Sequence, residues 1–523
     1  MHAKILKINE RDNVVVALTD MAAGETLDAG DRTVKVREHI EKGHKIACRD
    51  IAEGDDVIKY GYAIGHALKD ISAGEYVHTH NIRTNLKGIE QYTYAPIPAP
   101  GTAVVGTGFH ARPFTAISTP ETAGKATRPA EAEPPQFMGY VREDGQVGIR
   151  NELWIINTVG CVNKTAEILA REANIRLAGR TDGVFAYVHP HGCSQLGGDH
   201  ARTQAILAGL VRHPNAAGVL VLGLGCENNN INEFKKVLGG YDPRRVKFLQ
   251  AQDAEDETGE GLKLLEELAD YAGSFERQPC PLSRLVVGLK CGGSDAFSGI
   301  TANPLVGRFS DMLIAEGGTA ILSEVPEMFG AETIMMGRCV NRDVFDRTAG
   351  LINGFKEYYM RYGQEIYENP SPGNKRGGIT TLEEKSLGCI LKGGTESVAD
   401  VLDYGEKVKT AGLNLLEGPG NDIVACTALT AAGAHLILFT TGRGTPLGAP
   451  VPTVKISTNT QLYERKRNWI DFDAGCILAR KSMEEAGDEL YKYVADTASG
   501  LIRTKNEENG YKEIAIFKDG ATL

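Results

Sequence analysis

Three short apolar segments of this chain each run into a cysteine that has a glycine beside it. The segments and their cysteines are residues 184–188 with Cys193, residues 217–222 with Cys226, and residues 285–289 with Cys291. Runs of this length and composition are typical of buried strands, and ligands bind at the carboxyl ends of strands in open α/β sheets. If the strands are parallel neighbours, the thiols converge and can hold a metal ion or a cluster. A core-filling role for these thiols stays open, because free cysteines are commonly buried.

Polar residues follow two of the predicted strands. Ser294 and Asp295 come directly after Cys291 and two glycines, so they place hydrogen-bonding groups where the strand stops. Arg443 lies between two glycines after the apolar run 435–439, and its planar fork of donors suits a carboxylate or phosphate. No Gly-Lys-Ser/Thr sequence follows Arg443, which argues against a nucleotide-binding loop.

Two further polar stretches can be either solvated turns or ligand-binding groups. Residues 43–45 read Gly-His-Lys, and residues 78–83 bring His78, His80 and Arg83 into six positions. Residues 368–375 contain two prolines, which exclude regular helix or central strand and leave a rigid polar loop.

Composition and charge narrow the class of protein. The 523 residues carry a net charge of −11, which argues against a nucleic-acid-binding surface. No apolar run approaches the ~20 residues of a membrane span, and the N-terminus lacks the apolar core of a signal peptide. Ten dispersed cysteines indicate reduced thiols, so a cytoplasmic location is expected.

The pattern along the chain predicts an α/β protein with an all-β N-terminal module. Residues 1–88 show short strands and Gly-containing turns, and residues 89–136 are rich in proline and alanine, as in an extended linker. Strand and helix signals then alternate, which predicts mostly parallel sheets with helices on both faces. We expect one α/β domain at 137–384, carrying the strand-end cysteines, and a second at 385–523.

Several of these stretches resemble the altronate/galactarate dehydratase family over nearly the whole chain. The matching motifs are Gly-His-Lys at 43–45, Gly-Cys-Ser-Gln-Leu-Gly at 192–197, Gly-Leu-Gly-Cys-Glu-Asn-Asn at 223–229, Cys-Gly-Gly-Ser-Asp at 291–295, Gly-Ile-Thr-Ala-Asn-Pro at 299–304, Asn-Pro-Ser-Pro-Gly-Asn-Lys at 369–375 and Thr-Gly-Arg-Gly-Thr-Pro at 441–446. The β module resembles an SAF domain, a small β-clip fold.

The resemblance implies dehydration of D-altronate to 2-dehydro-3-deoxy-D-gluconate, with Fe²⁺ as cofactor and Mn²⁺ as a possible substitute. A four-iron cluster with one open iron stays an alternative to a single ion. The expected catalytic residues are His44, Lys45 and Asp295. The expected substrate-binding residues are Ser294, Asn374, Lys375, Arg443 and Arg83. The expected metal ligands are Cys193, Cys226, Cys291 and His189.

Two other functions stay open on the sequence. Galactarate dehydratase activity belongs to the same class, and its substrate carries a carboxylate at each end. A sugar-acid-binding protein without turnover belongs to a different class. The expected partners are a small sugar acid and a second copy of the chain in a homodimer.

Overall fold

The structure is a computed structural model that describes residues 4–30, 32–96, 135–479 and 481–522. Most of the predicted linker 89–136, namely residues 97–134, lies outside the described residues. No helix in the described ranges is both long and apolar enough to cross a membrane.

In the described residues, the N-terminal module is built from nine short strands. They are β1 (Ile5–Leu6), β2 (Val14–Ala17), β3 (Thr26–Asp28), β4 (Thr33–Lys35), β5 (Lys45–Ala47), β6 (Asp56–Lys59), β7 (Tyr62–Ala67), β8 (Tyr76–Val77) and β9 (Ile82–Arg83). They form antiparallel sheets in the orders β1-β2-β5-β8, β3-β4 and β6-β7-β9. The predicted all-β module is therefore confirmed.

The two faces of strand β2 pack into different apolar clusters, because successive side chains of a strand point to opposite sides. Val15 packs with Ile46 and other residues of the module alone. Val14 belongs to a larger apolar cluster that also contains Leu382 and Leu387, far along the chain. The module therefore has its own core and a second apolar face that packs on the rest of the protein.

Strands and helices alternate after the linker, as the sequence predicts. The strands are β10 (Gln136–Val141), β11 (Val147–Gly148), β12 (Glu152–Asn157), β13 (Val184–Tyr187), β14 (Ala216–Gly223), β15 (Val246–Gln250), β16 (Arg277–Pro281), β17 (Val286–Cys291), β18 (Thr319–Leu322), β19 (Val398–Leu402), β20 (Gly412–Leu416), β21 (Leu436–Thr441), β22 (Thr453–Ser457) and β23 (Phe472–Asp473). The helices are α1 (Asn163–Arg176), α2 (Gly197–Val211), α3 (Ile231–Leu238), α4 (Glu257–Ala272), α5 (Ala302–Ala315), α6 (Glu332–Met336), α7 (Arg342–Arg361), α8 (Pro372–Arg376), α9 (Leu382–Cys389), α10 (Asp422–Ala431), α11 (Thr460–Arg465), α12 (Met483–Ala498) and α13 (Lys505–Glu508).

Two parallel sheets dominate this region. One has four strands in the order β13-β12-β14-β15, and the other has seven in the order β19-β20-β18-β17-β21-β22-β23. A small antiparallel sheet, β11-β10-β16, lies beside them. The seven-stranded sheet takes strands from both sides of the predicted division at 384/385, which falls inside helix α9.

Helices α2 and α10 pack between the two parallel sheets. One apolar cluster contains Trp154 of β12, Leu207 of α2, Leu429 of α10 and Phe439 of β21. The helices approach closely because Gly209 has no side chain; a Cβ there would lie 2.7 Å from the carbonyl oxygen of Ala431. The two sheets therefore share one core.

A buried ion triad fixes the module to helix α9. Glu384 lies between two lysines of the module: its carboxylate accepts from Lys45 Nζ at 2.9 and 3.1 Å and from Lys59 Nζ at 2.7 Å. All three side chains are almost fully buried. A single carboxylate compensates two ammonium groups here, so burial lowers the pKa of Lys45 to about 8 despite the opposing charge of Glu384.

Neighbouring residues of the same helix strengthen this contact. The Glu383 carboxylate accepts from Thr84 Oγ1 at 2.8 Å and from the backbone of Asn85 at 2.6 Å. Thr381 Oγ1 donates to the carbonyl of Ile64 at 2.5 Å. Three side chains at the start of α9, those of Thr381, Glu383 and Glu384, are thus held by the module.

Replacing Glu384 tests the triad. Glu384→Gln puts two buried ammonium groups beside a neutral amide, and we expect a loss of about 3–5 kcal/mol in module stability. The readout is the first unfolding transition in calorimetry, because a chain with several cores need not unfold in one step. The exposed Glu484→Gln on α12 is the matched control, and equal transitions in the two variants would contradict the triad's role.

The same variant tests a pH dependence. Burial alone would raise the pKa of Glu384, but Lys45 and Lys59 outweigh burial and lower it to about 2. Because the pKa of Glu384 is depressed in the folded state, its ionised carboxylate stabilises the fold at pH values above its ordinary pKa of 4.5. This stabilisation is lost as the pH falls from 4.5 towards 2. The wild-type protein should lose this increment on acidification, and Glu384→Gln should lack it.

Candidate active site

Strand β17, the turn after β18 and the end of helix α9 bring two thiols and a carboxylate together. The Sγ atoms of Cys291 and Cys389 are 3.5 Å apart, and each lies 3.1 Å from Glu327 Oε2. All three side chains are buried. In the part of the chain that the structure describes, this is the one group of three His, Cys, Asp or Glu residues whose ligand atoms lie within 4.8 Å of one another.

Three buried lysines surround this group. Lys392 Nζ donates to Cys291 Sγ at 3.0 Å, and Lys385 Nζ is 2.7 Å from Glu327 Oε1. Lys290 Nζ contacts the carboxylate of Glu324 and lies 2.8 Å from that of Asp422. The strand ends therefore hold a compact network in which cations and anions nearly balance.

The network shifts the pKa values of its acidic groups in different directions. A hydrogen bond from the Cys389 thiol, aided by Lys392 and Lys290, lowers the pKa of Cys291 to about 6 against burial. Burial raises the pKa of Glu324, and the charge of Glu327 raises it further. Burial would also raise the pKa of Glu327, but the surrounding lysines outweigh it and hold that pKa far below its ordinary range.

The backbone at Glu324 is itself strained. Its φ of +70° lies in the left-handed region, which a residue with a side chain rarely adopts. Such strain persists where the surroundings fix it, commonly at functional sites. Here it turns the carboxylate back so that it accepts from the backbone N–H of Cys291 at 3.1 Å.

By distance alone, the Cys291–Glu327–Cys389 group could hold a metal ion, and two thiols suit iron or zinc. The charges argue against it. The Cys291 sulfur already has the Lys392 ammonium as its partner, and Lys385 occupies the other oxygen of Glu327. A divalent cation would have to enter among three ammonium groups, so this group does not fit a metal.

An open cavity of about 670 Å³ lies beside this network. Its lining residues are Gly292, Gly293, Glu327, Glu368, Asn369, Ser371, Asn374, Lys385, Gly420, Asn421, Asp422, Ile423, Leu447 and Glu513. The volume is in the range typical of small-molecule sites. The cavity thus joins the carboxyl edge of the seven-stranded sheet to the proline-containing loop that the sequence indicates as rigid.

Helix α8 positions the predicted substrate-binding residue Asn374 at this cavity. Ser371 and Asn374 form a reciprocal cap at the start of the helix. Asn374 Nδ2 donates to the carbonyl of Ser294 at 2.7 Å, which ties α8 to the turn after β17. Lys375 follows on the same helix and is half-buried.

The turn after Cys291 is held by its own polar groups. The Asp295 carboxylate accepts from Thr458 Oγ1 at 2.9 Å, from the backbone of Phe297 at 3.1 Å and from Ser298 Oγ at 3.3 Å. These contacts favour a positioning role for Asp295 over the predicted catalytic one. The Ser294 hydroxyl, by contrast, is buried without a hydrogen-bond partner.

The two predicted substrate-binding arginines are exposed. Arg443 donates its backbone N–H to Gly293 at 3.0 Å, so the Arg443 turn packs on the glycines that line the cavity. Arg83 lies on strand β9 of the module with its side chain in solvent. Neither guanidinium is held by the cavity wall in this structure.

The module presents His44 and Lys45 to the segment that follows α8. Tyr76 Oη lies 2.6 Å from His44 Nδ1, and the His44 ring also bonds the backbone of Arg376. Burial, aided by Lys45, lowers the pKa of His44. Lys45 Nζ donates to the carbonyl of Gly378 at 2.8 Å besides its contact with Glu384, so it is fully enclosed.

The expected convergence of Cys193, Cys226 and Cys291 is corrected by the structure. Cys193 and Cys226 are exposed and follow strands of the four-stranded sheet, whereas Cys291 is buried at the end of a strand in the other sheet. The physical reason is that the chain builds two sheets where one was assumed. His189 is occupied as well: its Nε2 lies 2.8 Å from the Asn157 carbonyl, and its Nδ1 accepts from the His191 backbone at 3.1 Å.

Sequence reasoning missed the residues of helix α9. Glu384, Lys385 and Cys389 are buried although the segment 383–385 reads as a charged surface run. The sequence offers little indication of this burial, because a run of charged residues is typical of a solvent-exposed helix. Here one helix packs its charged residues against both the module and the strand ends. Glu327 and Lys392 were likewise not predicted.

Comparison with known proteins agrees with this architecture. Residues 282–522 match the family described as D-galactarate/altronate dehydratase, C-terminal. Residues 139–273 match the D-galactarate dehydratase/altronate hydrolase second domain, and residues 3–85 match the altronate/galactarate dehydratase SAF domain.

Curated relatives cover nearly the whole chain. The chain is 50% identical to altronate dehydratase of Bacillus subtilis (strain 168) over 99% of both chains. It is 49% identical to altronate dehydratase of Escherichia coli (strain K12), again over 99% of both. Identity to the galactarate dehydratase (L-threo-forming) of the same E. coli strain is 32%, over 98% of this chain and 96% of that one.

The charge argument at Cys291 predicts the behaviour of Cys389→Ser. A serine hydroxyl can take the place of the thiol between Cys291 and Glu327 and leaves the lysines in place, so the variant should retain as much iron as the wild-type protein. Iron per chain is measured by atomic emission after anaerobic purification. Loss of iron in this variant alone, with unchanged thermal stability, would show that the group does bind the metal.

Proposed function

This chain belongs to the D-galactarate/altronate dehydratase family, and we propose that it removes water from D-altronate to give 2-dehydro-3-deoxy-D-gluconate. The observation that carries the proposal is 50% and 49% identity to two altronate dehydratases over the full chain, against 32% to a galactarate dehydratase. A homodimer and a cytoplasmic location stay predictions from the sequence.

The cavity lining supports altronate over galactarate. Glu368 and Glu513 border the cavity, as does Asp422, whose charge is balanced by Lys290. Galactarate carries a second carboxylate at the far end of the chain, where altronate carries a neutral hydroxymethyl group. Carboxylates close to a second substrate carboxylate repel it, so an acidic wall disfavours the diacid.

The reaction demands a cationic site for the substrate's carboxylate. The C2 proton lies next to a carboxylate, and its removal gives a dianionic enolate-like state that needs compensating charge. Lys385 is suited to this, because it lines the cavity and carries a positive charge. Besides Glu327, its neighbours are the amide oxygens of Asn369 at 3.0 Å and Asn374 at 3.4 Å.

A substrate carboxylate can replace those two amide oxygens at Lys385. A charged acceptor binds an ammonium more strongly than a neutral amide does. The displaced side chains of Asn369 and Asn374 would then be free to bind the sugar hydroxyls. Lys375, Ser294 and Arg443 remain candidates for the rest of the sugar acid, since their turns adjoin the same cavity.

His44 is the candidate for proton transfer. Its lowered pKa keeps the imidazole neutral near pH 7, as a general base requires. The His44 ring bonds the backbone of Arg376 of α8, the helix whose Asn374 borders the cavity, so the substrate must displace that contact to reach the imidazole. We propose that His44 takes the C2 proton and returns it to the departing C3 hydroxyl, so that water leaves and the enol rearranges to the 2-keto acid.

Lys45 acts beside His44 as a positioning residue. Its ammonium bridges Glu384 and the Gly378 carbonyl, and both of these lie on the α/β side of the contact. It thereby fixes the neighbouring His44 to α8 and lowers the pKa of that imidazole.

The proposed cofactor is iron, with Fe²⁺ replaceable by Mn²⁺ as expected from the family resemblance. A bound metal supplies Lewis-acid stabilisation of the carboxylate and the adjacent hydroxyl. The buried Cys291–Glu327–Cys389 group does not fit it, for the reason of charge given above, and no step is assigned to a metal there.

Turnover of purified, anaerobically iron-loaded protein tests the proposed function. We expect formation of a 2-keto-3-deoxy acid from D-altronate, with kcat/KM at least about 10-fold above that for galactarate. Lys385→Met should abolish this turnover, whereas the exposed Lys409→Met should not. Preference for galactarate would move the chain to the other branch of the family, and binding without product would make it a sugar-acid-binding protein.

The role of His44 has its own test. His44→Ala should lower kcat for D-altronate by about 10²-fold or more, the usual scale for a lost acid or base, with the fold intact. His39→Ala is the control, since His39 is an exposed histidine of the same module. The low-pH limb of the wild-type rate profile should disappear in His44→Ala, and a retained rate would remove His44 from the mechanism.

A further inference from the structure

Three exposed thiols are unusual among the cysteines of this protein. Cys161, Cys193 and Cys226 are exposed, Cys476 is half-buried, and the other six are buried. Free cysteines are among the most buried residue types, because the thiol behaves as a small apolar group. Exposure of these three therefore calls for a reason other than packing.

All three thiols follow strands of the four-stranded sheet. Cys161 comes after β12, Cys193 after β13 and Cys226 after β14. The strands are parallel, and β12 lies between the other two. Because the carboxyl ends of parallel strands meet at one edge, the three loops that carry the thiols are neighbours there.

Backbone contacts lock the loop after β12 to the loop after β13. Gly160, next to Cys161, donates its N–H to the His191 carbonyl at 2.9 Å. Gly192, next to Cys193, has a φ of +98°, and a Cβ there would lie 1.9 Å from the Thr158 carbonyl oxygen. Only glycine permits so close an approach.

The loop after β14 is tied to both of the others. Asn229 donates its backbone N–H to the Gly192 carbonyl and its side-chain amide to the Thr158 carbonyl, each at 3.0 Å. Ser194 donates its N–H to Asn228 Oδ1 at 3.2 Å. These hydrogen bonds join the three loops to one another, each within a few residues of its cysteine.

The arrangement of the described residues argues against a single ion. A tetrahedral ion with metal–sulfur bonds of about 2.3 Å needs sulfurs about 4 Å apart. Among the described residues, no three-ligand group that includes these thiols has its ligand atoms within 4.8 Å of one another. A four-iron cluster, whose thiolates bind separate corners, accepts wider spacing.

We propose that Cys161, Cys193 and Cys226 bind a four-iron, four-sulfide cluster through three thiolates, which leaves the fourth iron without a protein thiolate. Cys161 takes the place that the sequence pattern gave to Cys291. Gln252 Nε2 donates a hydrogen bond to Cys226 Sγ at 3.6 Å. If Cys226 is a cluster ligand, this bond contributes to the reduction potential of the cluster. The proposal stands independently of the proposed dehydration.

The test is the iron and sulfide content of the full chain after anaerobic purification and reconstitution with ferrous iron and sulfide. We expect about four iron and four acid-labile sulfide per chain, with the broad visible absorbance of a cluster and an electron paramagnetic resonance signal after mild oxidation. Cys161→Ser, Cys193→Ser and Cys226→Ser should each lose most of the sulfide and the signal.

Cys291→Ser and Cys476→Ser are the controls and should keep the cluster. The three ligand variants alter exposed side chains, so their thermal unfolding without metal should match the wild-type apo-protein. Absence of labile sulfide from the reconstituted wild-type chain, a single zinc or iron bound by these thiols, or full clusters in the three variants would each overturn the proposal. None of these readouts depends on turnover of a sugar acid.

Discussion

The ion triad of Glu384 with Lys45 and Lys59 is the interaction that fixes the N-terminal module to the α/β region. Two lysines of the module and one glutamate of helix α9 are removed from water together, and buried charges are tolerated only when paired and hydrogen-bonded. Burial, aided by the charge of Lys59, lowers the pKa of Lys45 to about 8 against the opposing charge of Glu384. The module is therefore fixed in one position by charge, with apolar packing around it.

Helix α9 connects the module to the cavity and to the strand ends. Glu384 faces the module, the next residue, Lys385, lines the cavity, and Cys389 ends the helix against Cys291. Lys385 lies beside Glu327 and Lys392 beside the Cys291 sulfur, so cations and anions nearly balance at the strand ends.

The sequence predicted the order of strands and helices well, but it did not predict which side chains contact one another. The all-β module and the parallel sheets follow from strand-length apolar runs and turn residues, which are local signals. The strand-end position of Cys291 and the rigid loop carrying Asn374 follow from the same signals. The grouping of Cys291 with Cys193 failed because strand periodicity does not reveal which strands share a sheet. Burial of Lys385 and Glu384 arises only when distant segments pack together.

We propose that the module and the α/β region form one active site across α8 and α9. A crystal structure of the anaerobic His44→Ala protein soaked with D-altronate is the decisive test. We expect the altronate carboxylate within hydrogen-bond distance of Lys385 Nζ, with C2 facing the space left by the imidazole. Altronate bound away from Lys385, with no module residue near its C2 or C3, would rule out a shared site.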